Sequence, residues 1–215
     1  MPAEKDIALM AHLMRRAGFG VNKDELETYV AIGYEAVVEE LLNPADDDYL
    51  DRDIVDRYYI EIQDQRQATS AAGWWLYRMI NTRCPLQEKM TLFWHGLFAT
   101  AYEKIMNGRA VAAQIEMFRR NCLSDFSTIL LELSRDPAMI IWLDNNTNHK
   151  DAHNENYGRE LLELFSMGVG NYTETDVREA SRAFTGWTRA PKISRFPYNR
   201  FDAAFEYKPE DHDEG

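Results

Sequence analysis

Cysteine is scarce in this chain, which has Cys84 and Cys122 alone among 215 residues. So few cysteines exclude a disulfide-dense scaffold, and the apolar surroundings of both predict buried free thiols. Long apolar runs are absent as well, because no segment approaches the roughly 20 apolar residues that a membrane-spanning helix needs. We therefore expect no membrane span.

Basic residues are also in short supply. Lysine and arginine number 24 against 36 aspartates and glutamates, which gives a formal net charge of −12. Nucleic acids and anionic membranes are bound by clustered cations that neutralise phosphates, so this balance argues against both as partners. The chain is nevertheless 45% hydrophobic and 12% aromatic, which is enough to form a core.

A secretory signal is not visible at the start of the sequence. Residues 1–16 contain no apolar run of about 7–15 residues after a basic start, and no cleavage-like site follows. As written, the sequence predicts a cytoplasmic protein. A native start further upstream would predict an exported one.

Apolar residues recur with helical spacing along most of the chain. The predicted helices span 6–17, 22–31, 34–42, 67–83, a segment opening at Pro85, 109–122, 124–135 capped by Ser124, 137–143, a segment from Asn156 to Gly168, and a segment opening at Thr173. An acidic run at 46–64 predicts a solvated helix face. Aromatics and prolines beyond Trp187 predict a hairpin or irregular segment. The expected fold is an all-α, multi-helix orthogonal bundle at 1–190 with a small β-hairpin or irregular C-terminal segment at 191–215.

The helix after Asn156 has apolar residues at Tyr157, Leu161, Leu164 and Phe165, the spacing of a buried stripe, with Asn154 as its expected N-cap. The helix after it opens with Thr173 and Asp176 in capping-box spacing. These two helices follow a polar loop at 144–155, on which the functional hypotheses concentrate.

That loop has the oxygen spacing of an EF-hand calcium site. Asp144, Asn146, Asn148 and Glu155 occupy positions 1, 3, 5 and 12, and the Lys150 carbonyl occupies position 7. Position 6 is a histidine where the motif has glycine for a sharp turn. The sequence thus predicts a site for calcium or another divalent cation, with a purely structural alternative in which the asparagines satisfy backbone groups.

A catalytic hypothesis uses nearby titratable residues. His95, with Glu155, Glu160 and Glu163 and with His153 close to them in sequence, would supply an acid and base pair or ligands for a transition metal. His95 also fits a core histidine between aromatic residues. The sequence has no HExxH, paired CxxC, Walker or GxSxG motif, so it indicates no standard hydrolase or nucleotide mechanism.

Five ordered blocks carry a family resemblance: HLMRRAGFG at 12–20, EKM…FWH…FAT at 88–100, RDPAM at 135–139, NENYGRELLELF at 154–165 and YTETDV at 172–177. Over nearly its whole length the chain resembles the bacterial Domain of Unknown Function 1800 family. The resemblance implies a family domain that continues past residues 210–215 and has no established activity. His212 and Asp213 resemble a further block that would complete a site built upstream, but an acidic, exposed terminal tail is the favoured alternative.

Two functions follow as hypotheses. Members of the family it resembles are often exported and encoded beside sulfatase-like secreted proteins. This implies a binding or assembly module that works with such a partner or with an envelope polysaccharide system. The alternative is a metal- or carboxylate-dependent, hydrolase-like enzyme using His95, Glu155, Glu160 and Glu163. A shared pocket around His95 and the glutamates would favour the enzyme.

Overall fold

The structure is a computed structural model that describes residues 4–44, 50, 68–192 and 202–215. Its helices are α1 Glu4–Ala17, α2 Lys23–Ile32, α3 Tyr34–Leu42, α4 Ala68–Asn81, α5 Pro85–Leu97, α6 Tyr102–Ile105, α7 Gly108–Arg120, α8 Phe126–Ser134, α9 Pro137–Trp142, α10 Asn156–Glu160 and α11 Glu174–Ala183. Short 3₁₀ turns lie at Asn145–Thr147 and Pro209–Asp211. A hairpin joins β1 Trp187–Lys192 to β2 Asp202–Tyr207. The predicted helical fold with a small C-terminal hairpin is therefore confirmed.

Local capping signals explain several helix boundaries. Thr173 Oγ1 accepts the amide N–H of Asp176, and the Asp176 carboxylate accepts the amide N–H of Thr173, which is the predicted capping box. The prediction that Ser124 caps α8 was wrong. Asp125 caps it instead, because its carboxylate accepts the Thr128 amide N–H at 2.9 Å. The helix α10 begins one residue later than Asn154 would place it, with Glu155 as the N-cap.

The largest core cluster gathers side chains from α5, α7, α8, α9 and α10. Its buried members include Phe98, Phe118, Ile129, Met139 and Tyr157. The buried Tyr157 hydroxyl donates to Ser134 Oγ at 2.8 Å, which satisfies its polar end inside the core. The core thereby fixes where α10 starts, and with it the end of the 144–155 loop.

The hairpin packs back onto the end of α11. Its strands are antiparallel, with Trp187 opposite Tyr207 and Arg189 opposite Phe205. The Trp187 ring lies between those of Phe184 and Phe205, with centroids 5.1 and 5.2 Å away. These edge contacts hold the C-terminal segment against the helical body.

Neither cysteine is in a disulfide, and both are buried, as predicted. Among the described residues, no helix has the length and apolar character needed to cross a membrane. The acidic run at 46–64 lies outside the described residues, apart from residue 50. The division of the chain at residue 190 stays a prediction.

Candidate functional site

The helix that follows the 144–155 loop changes its winding after one turn. From Leu161 to Ser166 it is a π-helix, and the Met167 amide N–H donates to the Leu162 carbonyl at 2.9 Å, five residues back. Leu161 and Phe165 pack on the core, whereas Leu164 is 65% exposed. The predicted burial of Leu164 was therefore wrong. The wider turn places Leu161 and Phe165, four residues apart, on the same side of the helix and directs Leu164 outward.

Two buried asparagines attach the 144–155 loop to the end of α11 and the start of β1. Asn145 Nδ2 donates to the carbonyls of Phe184 and Trp187, at 3.2 and 2.8 Å. Asn148 Nδ2 donates to the Ser181 carbonyl at 2.8 Å and to Asn145 Oδ1 at 3.1 Å. Both side chains are 2% exposed. These are the contacts that the structural alternative expects.

Three of the four side chains predicted to bind calcium contact other protein groups. The Asp144 carboxylate lies 2.7 Å from Lys104 Nζ. Glu155 lies 3.2 Å from Arg159 Nη2. Asn148 Oδ1 accepts the Asn154 amide N–H at 3.0 Å, and Asn146 is half-buried. Within the described ranges, no group of three or more His, Cys, Asp or Glu side chains is arranged to hold a metal ion. The calcium site stays a prediction.

The predicted catalytic residues have separate environments. His95 packs edge-on to the rings of Trp75 and Phe118, with centroids 5.3 and 6.4 Å away, and burial lowers its pKa. Among the described residues, its buried Nδ1 has no hydrogen-bond partner. Glu163 instead accepts the Tyr172 hydroxyl at 2.6 Å, a bond that raises the pKa of Tyr172.

Glu160, the remaining predicted catalytic residue, is half-buried on α10. In the described part of the chain, no hydrogen bond joins His95 to Glu160 or Glu163. The structure does not join the three residues into a hydrogen-bonded site, and their catalytic assignment stays a prediction.

The C-terminal segment does return to the loop, through histidines. His149 Nδ1 lies 2.6 Å from Asp211 Oδ2, and His153 Nε2 lies 3.0 Å from Asp213 Oδ2. The bond from His149 holds the pKa of Asp211 below its usual value. Lys150 Nζ adds a bond to the Glu210 carbonyl at 2.5 Å. These contacts hold the C-terminal segment against the loop, and the completion of an upstream site by His212 and Asp213 stays a prediction.

Glu88 is the buried ionic centre whose partners the sequence did not indicate. Its side chain is fully buried and accepts Trp75 Nε1 at 2.9 Å and Arg78 Nε at 2.8 Å. Arg119 donates to it from Nε at 2.7 Å and from Nη2 at 3.1 Å. Trp75 contacts both Glu88 and His95. All these partners are protein groups, which indicates a structural role.

One surface is unusually apolar. Helix α5 buries Glu88 and Thr91 on its inner side, yet Phe93 and Leu97 are 54% and 48% exposed on its outer side. The Trp94 ring touches Phe93 and Phe126, with centroids 5.0 and 6.2 Å away, and Phe126 is also exposed. We call Phe93, Leu97 and Phe126 the apolar surface.

The apolar surface continues toward the π-helix. Phe98, beneath it, contacts both Phe126 and Phe165, with centroids 6.3 and 5.2 Å away. The exposed Leu164 immediately precedes Phe165. The sequence does not indicate this surface, because helical spacing of apolar residues does not show which of them a neighbouring helix covers.

The fold and these contacts define a mostly helical protein with a C-terminal hairpin anchored to the 144–155 loop. Residues 12–215 match the family described as "Protein of unknown function (DUF1800)", and the chain belongs to that family. No curated protein and no solved structure shows a significant match to the chain.

Proposed function

We propose that this protein is a binding module that attaches to a partner protein through the apolar surface. The observation that carries the proposal is the outer side of α5, where Phe93 and Leu97 lie one helical turn apart and about half exposed. Large apolar side chains on a helix normally face a core or another protein. A protein partner would cover Phe93 and Leu97.

Aromatic character supports a protein as the occupant. Interface cores are enriched in aromatic side chains, and an exposed cluster of them marks an interaction site more often than scattered aliphatic residues do. Phe93 and Phe126 are joined through the half-buried Trp94, so the exposed rings rest on a fixed base. Such anchoring reduces the side-chain entropy that is lost on binding.

The partner to test is the one that the family resemblance implies, a sulfatase-like protein. An enzyme is the weaker proposal, because in the described ranges no hydrogen bond joins His95 to Glu160 or Glu163. The binding proposal needs no such convergence. It requires only that the apolar surface be accessible and that its removal leave the fold intact.

The test compares two purified variants with the native protein for binding to the neighbouring sulfatase-like protein. In the first, Phe93→Ser and Leu97→Ser remove the centre of the surface. In the control, Ile80→Ser changes a side chain of α4 that is 72% exposed. Full burial of a Phe or Leu side chain is worth about 1.5–3 kcal/mol, so we expect at least roughly tenfold weaker binding for the double variant. The control should bind like the native protein.

The outcomes separate the occupants. Unchanged binding by a folded double variant would overturn the proposal. Sedimentation of the native protein alone tests a second copy of the chain as occupant. A dimer that the double variant loses and Ile80→Ser keeps would assign the surface to self-association and would refute the partner assignment.

A further inference from the structure

We propose that a cavity between α3, α5 and the end of α7 binds a small carboxylate with an apolar tail. The cavity has a volume of about 330 Å³. This lies at the lower end of the usual range for small-molecule sites, which is roughly 300–1,000 Å³. It lies at a different place from the 144–155 loop, and the proposal does not depend on the proposed function.

The walls supply an apolar body and a cationic end. Leu41, Leu42 and Leu123 contribute apolar lining, and Arg119 and Arg120 contribute guanidinium groups. Among the described residues, no aspartate or glutamate lines this cavity. In a chain of net charge −12, the exposed Arg120 gives this wall a positive charge. A negatively charged ligand is the one that such a site attracts.

The two arginines differ in whether their charges are already paired within the protein. Arg119 is 5% exposed and is held by Glu88 through Nε and Nη2, while its Nη1 lies against Glu116. Its charge is therefore matched within the protein. Arg120 is exposed, and in the part of the chain that the structure describes its side chain makes no ion pair or hydrogen bond. We assign the carboxylate to Arg120, because a guanidinium can bind it through two N–H groups.

Two cysteines in the cavity wall provide a way to detect a bound ligand. Cys84 and Cys122 both line the cavity, neither is in a disulfide, and each has less than a tenth of its surface exposed. Burial raises the pKa of the Cys122 thiol, so its reaction with alkylating reagents should be slow. A ligand in the cavity would cover these thiols and slow the reaction further.

The test uses octanoate as the probe and octanol as its uncharged counterpart, with calorimetry for binding and iodoacetamide for thiol alkylation. We expect octanoate to bind at submillimolar concentration and to slow alkylation several-fold. Octanol should bind at least tenfold more weakly. Arg120→Gln should weaken octanoate binding at least tenfold and leave octanol unchanged.

Arg16→Gln is the matched control, because Arg16 is also an exposed arginine in the last turn of a helix. It should leave both probes unaffected. Three results would each overturn the proposal: no octanoate binding or thiol protection at millimolar concentration, equal affinity for octanol, or equal losses in Arg16→Gln and Arg120→Gln. Thermal melting of each variant shows whether the fold is retained, which is expected because both arginines are exposed.

Discussion

Removing the buried charge of Glu88 should destabilise the protein strongly. Glu88→Gln keeps the size of the side chain but leaves the guanidinium of Arg119 facing a neutral amide on the side where it now has a carboxylate. The side chains of Arg78 and Arg119 are 12% and 6% exposed, so water replaces little of the lost interaction. Loss of one partner from a buried ion pair costs about 3–5 kcal/mol.

The lower end of that range is the better expectation. Glutamine can still accept from Trp75, and Arg119 keeps its contact with Glu116. A loss of about 3 kcal/mol is large against the roughly 5–15 kcal/mol by which domains are stable. For a chain of this length it corresponds to a fall in Tm of roughly 6–12 °C.

Urea unfolding followed by tryptophan fluorescence and circular dichroism measures this loss. The matched control is Glu174→Gln, which removes an ion pair of similar geometry on the surface. Glu174 is 65% exposed and lies 2.7 Å from Arg159 Nη2. An exposed pair contributes about 0–1 kcal/mol. If Glu88→Gln cost no more than Glu174→Gln, the ionic centre would not hold these helices and the reasoning would fail.

Three further predictions concern other parts of the molecule. Burial raises the pKa of Asp136 from 3.8 to about 7. Between these two pH values, the native state holds a proton on Asp136 that the unfolded chain has released. The stability contributed by this group is present below pH 4 and is lost as pH rises toward 7, by at most roughly 1.4 kcal/mol per pH unit. Between pH 4 and 7, the urea midpoint of Asp136→Asn should change less with pH than the midpoint of the native protein. Gly158→Ala places its Cβ 2.8 Å from a backbone nitrogen of α11 and should lower the free energy of unfolding by about 1–3 kcal/mol. Gly96→Ala meets nothing within 4 Å and should stabilise its helix by about 0.5–1 kcal/mol. Thermal unfolding of both variants measures these changes. Millimolar calcium should leave Tm unchanged, because Asp144 and Glu155 are already paired with cations. A rise that Asp144→Ala with Glu155→Ala abolishes would instead establish the calcium site.

The helices could be predicted from the sequence because their signals are local. The spacing of apolar residues and the caps lie within a few positions of the boundary that they determine, as at Pro85 and Thr173. The errors at Ser124 and Leu164 have different causes. Ser124 and Asp125 are both good N-caps, and the order of preference between them is weak. Leu164 followed a regular helical pattern that the π-helix interrupts, and no pattern of apolar residues distinguishes the two windings.

The contacts of the candidate sites were harder to predict because their members are far apart in sequence. Asn145 and Trp187 are separated by 42 positions, and His149 and Asp211 by 62. Each pairing depends on how the hairpin packs on α11, which is set by ring contacts and not by spacing. Glu88 and Arg119 are also far apart in sequence, because they belong to different helices. A single sequence identifies such residues as polar and helical without indicating which of them meet.

The 144–155 loop shows why ligand spacing alone does not define a cation site. An EF-hand loop turns sharply at a glycine in position 6, which directs its oxygens toward one centre. Here His149 occupies that position and pairs with Ala152 through two backbone hydrogen bonds, at 3.1 and 3.0 Å. This turn carries the His149 ring toward Asp211 and leaves Asn148 directed at Ser181. The same alternation of polar residues that would surround an ion thus connects the loop to α11 on one side and to the C-terminal segment on the other. Because a side chain that donates its amide to a backbone carbonyl is fixed in direction, these contacts oppose the convergence of oxygens that a hard cation requires.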